Sequence, residues 1–247
     1  MIDPLIIAII GFFVIFLGSM TQGLIGFGVI LFSAPIIVLF LPAKTVVPMI
    51  MIYSALINAT ILFEARKWVD LKRIWSLIIA GIIGVPIGTY LLIVLDDNIL
   101  RIFIGTIIIL FAVALLTGLR KKIKNEKLAF APIGFVGGLL GGSTSMSGPP
   151  VIIFFTNQGL KKQVFRANLV AYFMAMSLVA ISSFIVGGLI TTEVIRYTIL
   201  FLPAMIFGVA IGIKLVHRVE EKLFQNIVLI VVIIAGALSV ISGLSIV

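Results

Sequence analysis

The sequence contains no cysteine and a single histidine, His217. Without thiols it has no disulfides, no thiolate metal site and no thiol-based carrier chemistry. One histidine cannot build a histidine metal cluster. Charge is scarce too: 11% of the 247 residues are charged, against roughly 25% in soluble domains. No Asp or Glu falls inside an apolar run, because Glu64 and Glu193 sit at run ends. An intramembrane proton relay normally uses such a group, so the sequence gives no support for carboxylate-based proton coupling. No side chain is placed to act as a general base, and no cofactor motif occurs. Neither an enzyme, a metal nor a cofactor is expected.

Apolar residues make up 62% of the chain. They fall in runs of about 17–25 residues, each long enough to cross a hydrocarbon core roughly 30 Å thick. The runs do not alternate as barrel strands do. The fold class is therefore an all-α integral membrane protein, multi-pass in the cell (plasma) membrane. The N-terminal "MIDPLIIAII" lacks a basic leader and a cleavage site, so it reads as the first helix. The net charge of +9 resides in short loops between apolar runs, where it signals topology rather than nucleic-acid binding. The expected partners are the lipid bilayer and a small anion, with a homodimer left open.

The chain reads as a duplication: residues 1–119, a basic cytoplasmic linker at 120–127, and residues 128–247. Ala80–Leu91, "AGIIGVPIGTYL", and Ala204–Leu215, "AMIFGVAIGIKL", share seven of twelve positions, including Gly84/Gly208 and Gly88/Gly212. An acidic pair follows each at the same offset, Asp96–Asp97 and Glu220–Glu221. Gly23, Gly26 and Pro35 pair with Gly138, Gly141 and Pro150 in this comparison, and Tyr53 with Tyr172. The glycines four apart are read as helix-packing residues. Basic residues cluster in Glu64–Arg73, in Arg120–Lys127, at Lys161, Lys162 and Arg166, and at Lys214, Arg218 and Lys222. The positive-inside rule makes these loops cytoplasmic. Asp96–Asp97 then lies outside, its counterpart Glu220–Glu221 lies inside, and both termini lie outside. The expectation is two inverted-topology repeats of about five helical segments each, an arrangement typical of secondary transporters.

Each half opens with a broken segment. Pro4–Met20 is followed by the break "TQGLIGFG" and the short run Val29–Leu41. Leu128–Leu140 is followed by "GGSTSMSGPP" and the short run at Val151–Phe155. Paired, Gly/Pro-interrupted segments point to a midplane binding site, and irregular backbone survives there only when buried in protein or facing a water-filled cavity. The reading is two opposed, re-entrant hairpins whose tips meet within the membrane. Helix N-termini and hydroxyls at the tips would hold an anion without a fixed positive charge. The candidate substrate-binding residues are Thr21, Gln22, Gly23 and Gly26 on the first tip. On the second they are Gly142, Ser143, Thr144, Ser145, Ser147 and Gly148. Asn58, whose repeat counterpart is Ser177, and Asn168 are added from the spans. Arg166 reads as a topology charge.

"GLIGFG…P" at Gly23–Pro35, "GGLLGGSTSMSGPP" at Gly137–Pro150 and the two G-x-x-x-G pairs, in this order, resemble the TauE/SafE family, also called the sulfite exporter or TSUP family. The resemblance covers nearly the whole chain. It implies transport of sulfite, organosulfonates or related organic anions, with many members exporting. The expected function is a secondary transporter of small anions, exporting by alternating access around the two tips. An anion channel of the same architecture is the alternative. Single cysteines placed at Asp97 and at Glu221 are expected to react with an impermeant thiol reagent from opposite faces of the membrane. Reaction of both from one face would refute the inversion.

Overall fold

In the computed structural model, the described residues are 4–116, 125–215 and 221–244, with only the backbone described for Pro4, Lys127 and 221–228. Most of the linker (120–124), His217 and Glu220 lie outside the described residues. The described chain is all helical, in the order α1 (Pro4–Ile25), α2 (Val29–Ile37), α3 (Ala43–Ala65), a 3-10 turn (Arg66–Trp68), α4 (Leu71–Val94), α5 (Asp97–Leu116), α6 (Glu126–Thr144), α7 (Gly148–Gln158), α8 (Lys162–Val186), α9 (Thr192–Leu215) and α10 (Glu221–Leu244). Among the described residues six helices are long and apolar enough to cross a membrane: α1, α3, α4, α5, α8 and α9. Their outward faces carry large apolar side chains such as Phe13, Ile83, Leu110, Ile199 and Phe207. The protein is a multi-pass membrane protein.

Helix ends follow local chemistry. The Asp70 carboxylate accepts from Arg73 N–H (3.1 Å) and caps α4, and Asn125 Oδ1 accepts from Leu128 N–H at the start of α6. Such caps satisfy N–H groups that a helix leaves unpaired. Arg73 also grips Glu126 with two nitrogens, at 2.7–3.1 Å, which fixes the starts of α4 and α6 together.

Two helix pairs share one packing device. On α6, Gly134 rests on Leu77 of α4, Gly138 on Gly81, and Gly142 on Val85 and Gly88. The two helices run side by side in the same direction with their backbones nearly touching. On α9, Gly208 lies against Phe16 and Met20 of α1, Gly212 meets Met20 and Gly23, and Phe201 fills the space beside Gly11. A side chain on these glycines would strike backbone, so close approach requires their absence. α5 and α10 touch at Gly105 and Gly236. Tyr53 of α3 donates to the carbonyls of Tyr197 (3.0 Å) and Thr198 (2.8 Å) on α9, and Tyr172 of α8 donates to Gly134 O on α6 (3.2 Å).

The interrupted segments differ from expectation in detail. α1 continues through Thr21, Gln22 and Gly23, and α6 through Gly142, Ser143 and Thr144. The breaks shrink to Gly26–Gly28 and Ser145–Ser147. Thr21 Oγ1 donates to Leu17 O (2.8 Å), Ser143 Oγ to Leu139 O (2.9 Å) and Thr144 Oγ1 to Leu140 O (2.8 Å). Bonding back by one turn lets small hydroxyl residues stay helical without a water partner. Leu128–Leu140 is therefore the interior of a 19-residue helix, and the short members are α2 and α7, of 9 and 11 residues. At a rise of ~1.5 Å per residue neither spans the core.

The register between the halves also differs at the hairpins. α1 ends at Ile25 and α6 at Thr144, α2 begins at Val29 and α7 at Gly148, and left-handed residues follow at Gly26 (φ 89°) and Ser145 (φ 62°). These spacings equal that of Tyr53 to Tyr172 and set Gly26 against Ser145, whereas the sequence comparison set Gly26 against Gly141 and Pro35 against Pro150. The glycine repeat of α6 makes a slip of about one helical turn nearly invisible in sequence. Replacing Gly138 or Gly212 with valine is expected to destabilise the protein by roughly 1–3 kcal/mol or more through overpacking, read as a lowered unfolding midpoint of purified protein in detergent.

Candidate functional site

The two breaks converge on one cavity. Gln22, Phe27 and Gly28 from the first tip, and Ser145, Met146, Ser147, Gly148 and Pro149 from the second, form its ends. Met51 and Ser54 of α3 and Phe173 and Ser177 of α8 form its sides. Ser54 and Ser177 lie near the midpoints of their helices, which sets the cavity near the middle of the spans. About 20 Å³ is open to the centre of a water molecule, room for roughly one water. Anything larger requires the tips to part. None of the residues lining it is charged.

A chain of hydrogen bonds organises the first tip. Val29 N–H, at the start of α2, donates to Gln22 Oε1 (3.2 Å). Gln22 Nε2 donates to Asn58 Oδ1 (2.9 Å), and Asn58 Nδ2 donates to Ser54 Oγ (3.1 Å). All three side chains are buried. Gln22 thus caps α2 from one turn of α1, and the chain ends on a hydroxyl whose own proton remains to be donated into the cavity. Ile30 and Leu31 follow in the first turn of α2, so their N–H groups lack intrahelical partners; both residues line the cavity.

The second tip is built differently. Ser145 N–H bonds to Gly141 O (3.0 Å) and Met146 N–H to Leu140 O (3.3 Å), a C-terminal turn closed at the left-handed Ser145 in the manner of an αL cap. Ser145 Oγ donates to Val47 O of α3 (2.7 Å). Ser147 precedes α7, and its hydroxyl makes no cap bond. Among the described residues, the Ser147 and Ser177 side chains have no hydrogen-bond partner in the protein, and both line the cavity. Pro149 and Pro150 remove two of the first N–H groups of α7, leaving Gly148 N–H as its donor there.

The remaining expected residues lie around this cavity rather than on it. Thr21, Ser143 and Thr144 bond back into their own helices, as described above. Gly23 and Gly142 are packing positions against α9 and α4, and Gly26 lies against the stem of Arg166. Asn58 acts through Gln22 and Ser54. Asn168 Oδ1 accepts from Asp70 N–H (2.7 Å), securing the loop before α4. Ser54 and Ser177 are cavity residues absent from the expected set. The signals for them were present: Ser54 lies one turn before Asn58, and Ser177 aligns with Asn58 when Tyr172 is set against Tyr53 in the sequence. Arg166, read as a topology charge, instead donates from Nη2 to Gly23 O (3.1 Å) in the last turn of α1, where a cation also meets the negative end of a helix dipole.

A family model described as Sulfite exporter TauE/SafE matches residues 10–239. The chain belongs to the TauE/SafE family. Neither a curated protein nor a solved structure matches it significantly. TauE/SafE membership suggests a membrane transporter of sulfite or related anions. For this member of TauE/SafE, Gln22→Leu is expected to cost about 1–3 kcal/mol of stability, because Val29 N–H and the Asn58 amide lose their partner. Thr21→Val, which removes one local bond, is expected to cost about 1 kcal/mol or less. Chemical denaturation of the two purified variants compares them.

Proposed function

We propose that this protein exports a small oxyanion, such as sulfite, an organosulfonate or a related organic anion, across the plasma membrane by alternating access. The observation that carries the reading is the convergence of both hairpin tips on one buried, uncharged cavity supplied with hydrogen-bond donors. The donors are the hydroxyls of Ser54, Ser147 and Ser177, the N–H groups at the start of α2, and Gly148 N–H. An anion held this way is stabilised by oriented dipoles. Apolar walls at Phe27, Met51, Met146 and Phe173 suit the carbon part of a small sulfonate. Ser145, Ser147, Gly148 and Gln22 are the members of the expected set that line the cavity. Thr21, Gly23, Gly26, Asn58, Gly142, Ser143, Thr144 and Asn168 are assigned to shaping and holding the tips.

Residues 1–119 and 128–247 are proposed to be inverted repeats joined by the basic linker at 120–127. Four contacts support this. α1 runs beside α9 and α6 beside α4, each pair in one direction. Lys44 Nζ, at the start of α3, donates to Ile93 O at the end of α4 (2.8 Å). The start of α8 meets Asp70, beyond the end of α3. A cavity with room for only about one water supports a transporter more than a conducting pore, and family membership favours the transporter as well. Purified protein in liposomes is expected to move labelled sulfite or a small sulfonate with saturable kinetics, and conductance without saturation would sink the reading. Ser147→Ala and Ser177→Ala are each expected to weaken anion binding about tenfold or more, the loss of one bond to a charged ligand, with little change in stability. Wild-type affinity in both would move the site elsewhere.

A further inference from the structure

We propose that Arg166 and Ser145 are the two gate residues of this cavity, each tying one hairpin tip to the first turns of a long helix in the other half. The inference rests on the alternating-access reading above. Along α3 the order from its start is Val47, then the cavity residues Met51 and Ser54. Along α8 it is Arg166, then the cavity residues Phe173 and Ser177. The second tip is held at Val47 through Ser145 Oγ (2.7 Å). The first tip is held at Arg166 through Gly23 O (3.1 Å), with the arginine stem against the left-handed Gly26. α3 and α8 run in opposite directions, because the start of α8 meets Asp70, beyond the end of α3. The two tethers therefore lie on opposite sides of the cavity.

The tethers are also equivalent positions. Gly26 and Ser145 are the left-handed residues of the two breaks, and Val47 stands to Arg166 as Tyr53 stands to Tyr172. The same contact is made twice with different chemistry. One is a neutral hydroxyl on a carbonyl; the other is a guanidinium on a carbonyl, which is the stronger bond. An anion is a better acceptor for a guanidinium than a neutral carbonyl is. An anion arriving from the face where α8 begins therefore competes with Gly23 O for Arg166 and loosens this hold on the first tip. On the face where α3 begins the tether itself carries no charge, and the nearby cation, Lys44, is held on Ile93 O (2.8 Å) rather than on the tip. Substrate on the α8 side thus unlocks its own gate, and the gate on the α3 side opens without that aid.

The chain has no native cysteine, so Ser177→Cys provides a single thiol in the cavity wall. Its modification by a small, impermeant methanethiosulfonate is measured in sealed vesicles of both orientations. Adding Arg166→Gln is expected to speed labelling from the α8-start face about tenfold, the loss of one charge-assisted bond, and to slow it from the other face. Adding Ser145→Gly, which keeps the left-handed turn but removes the hydroxyl, is expected to speed labelling from the α3-start face about fivefold. Arg166→Lys retains a donor without the fork and is expected to fall between wild type and Arg166→Gln. It carries that arm if the glutamine variant does not accumulate. Unchanged rates, or acceleration from the same face in both variants, overturn the gates while leaving alternating access intact. Equal, simultaneous labelling from both faces with native Arg166 and Ser145 overturns both, because no closed gate then exists.

Discussion

Everything at the centre of this molecule depends on one constraint: a backbone that leaves the helix inside a membrane must find its hydrogen bonds within the protein. Two short breaks, Gly26–Gly28 and Ser145–Ser147, open the ladder in the middle of the bundle. At the first, Gln22 takes the Val29 N–H and Arg166 takes the Gly23 carbonyl. At the second, a closed C-terminal turn takes the Gly141 and Leu140 carbonyls. Prolines at 149 and 150 then remove two donors that would otherwise need partners. Ile30, Leu31 and Gly148, whose N–H groups lie in the first turns of α2 and α7, line one cavity. The polar residues singled out in sequence are largely the means by which this debt of backbone bonds is met.

The glycines decide where that happens. A bundle of Leu- and Ile-faced helices keeps its axes about 8–10 Å apart. Gly134, Gly138 and Gly142 let α6 sit backbone to backbone on α4, and Gly208 and Gly212 do the same for α9 on α1. α1 and α6, the long arms of the two hairpins, are thereby clamped along their lengths to full-length spans. α2 and α7 have no such clamp. α2 touches α1 at Gly18, where Ser33 and Val29 fill the space. Long arms clamped by glycine contacts, with short return helices that lack them, suit a site whose tips have to part, since the arms can hold register while the tips move.

Much of this was legible in the sequence. Hydropathy and charge marked the chain as a bundle of membrane-spanning helices, because the cost of a charge in lipid is large and unambiguous. The pairing of glycine breaks located the two tips. The extent of each break was not legible, because Thr21, Ser143 and Thr144 look the same in sequence whether their hydroxyls face a ligand or bond back one turn. The hairpin register was blurred by the four-residue glycine repeat of α6. Arg166 was unreadable for another reason: the same position serves the positive-inside rule and reaches Gly23, and only the fold brings residues so distant in sequence together.

The chemistry of the cavity follows from how little charge it holds. A guanidinium in its wall would bind an oxyanion tightly and release it slowly, and two desolvated charges gain from each other only with near-ideal geometry. Hydroxyls and N–H dipoles are individually weaker and more tolerant of geometry, so a proposed substrate anion can be held by several bonds and shed them one at a time. The cation stands instead at Arg166, on the proposed approach to the cavity, where it donates to the Gly23 carbonyl. That choice matters. A neutral carbonyl is a weaker acceptor for a guanidinium than an anion is, so the Gly23 contact can yield to one. A transporter that separates attraction from binding in this way can draw an anion toward the membrane interior and still let it go on the other side.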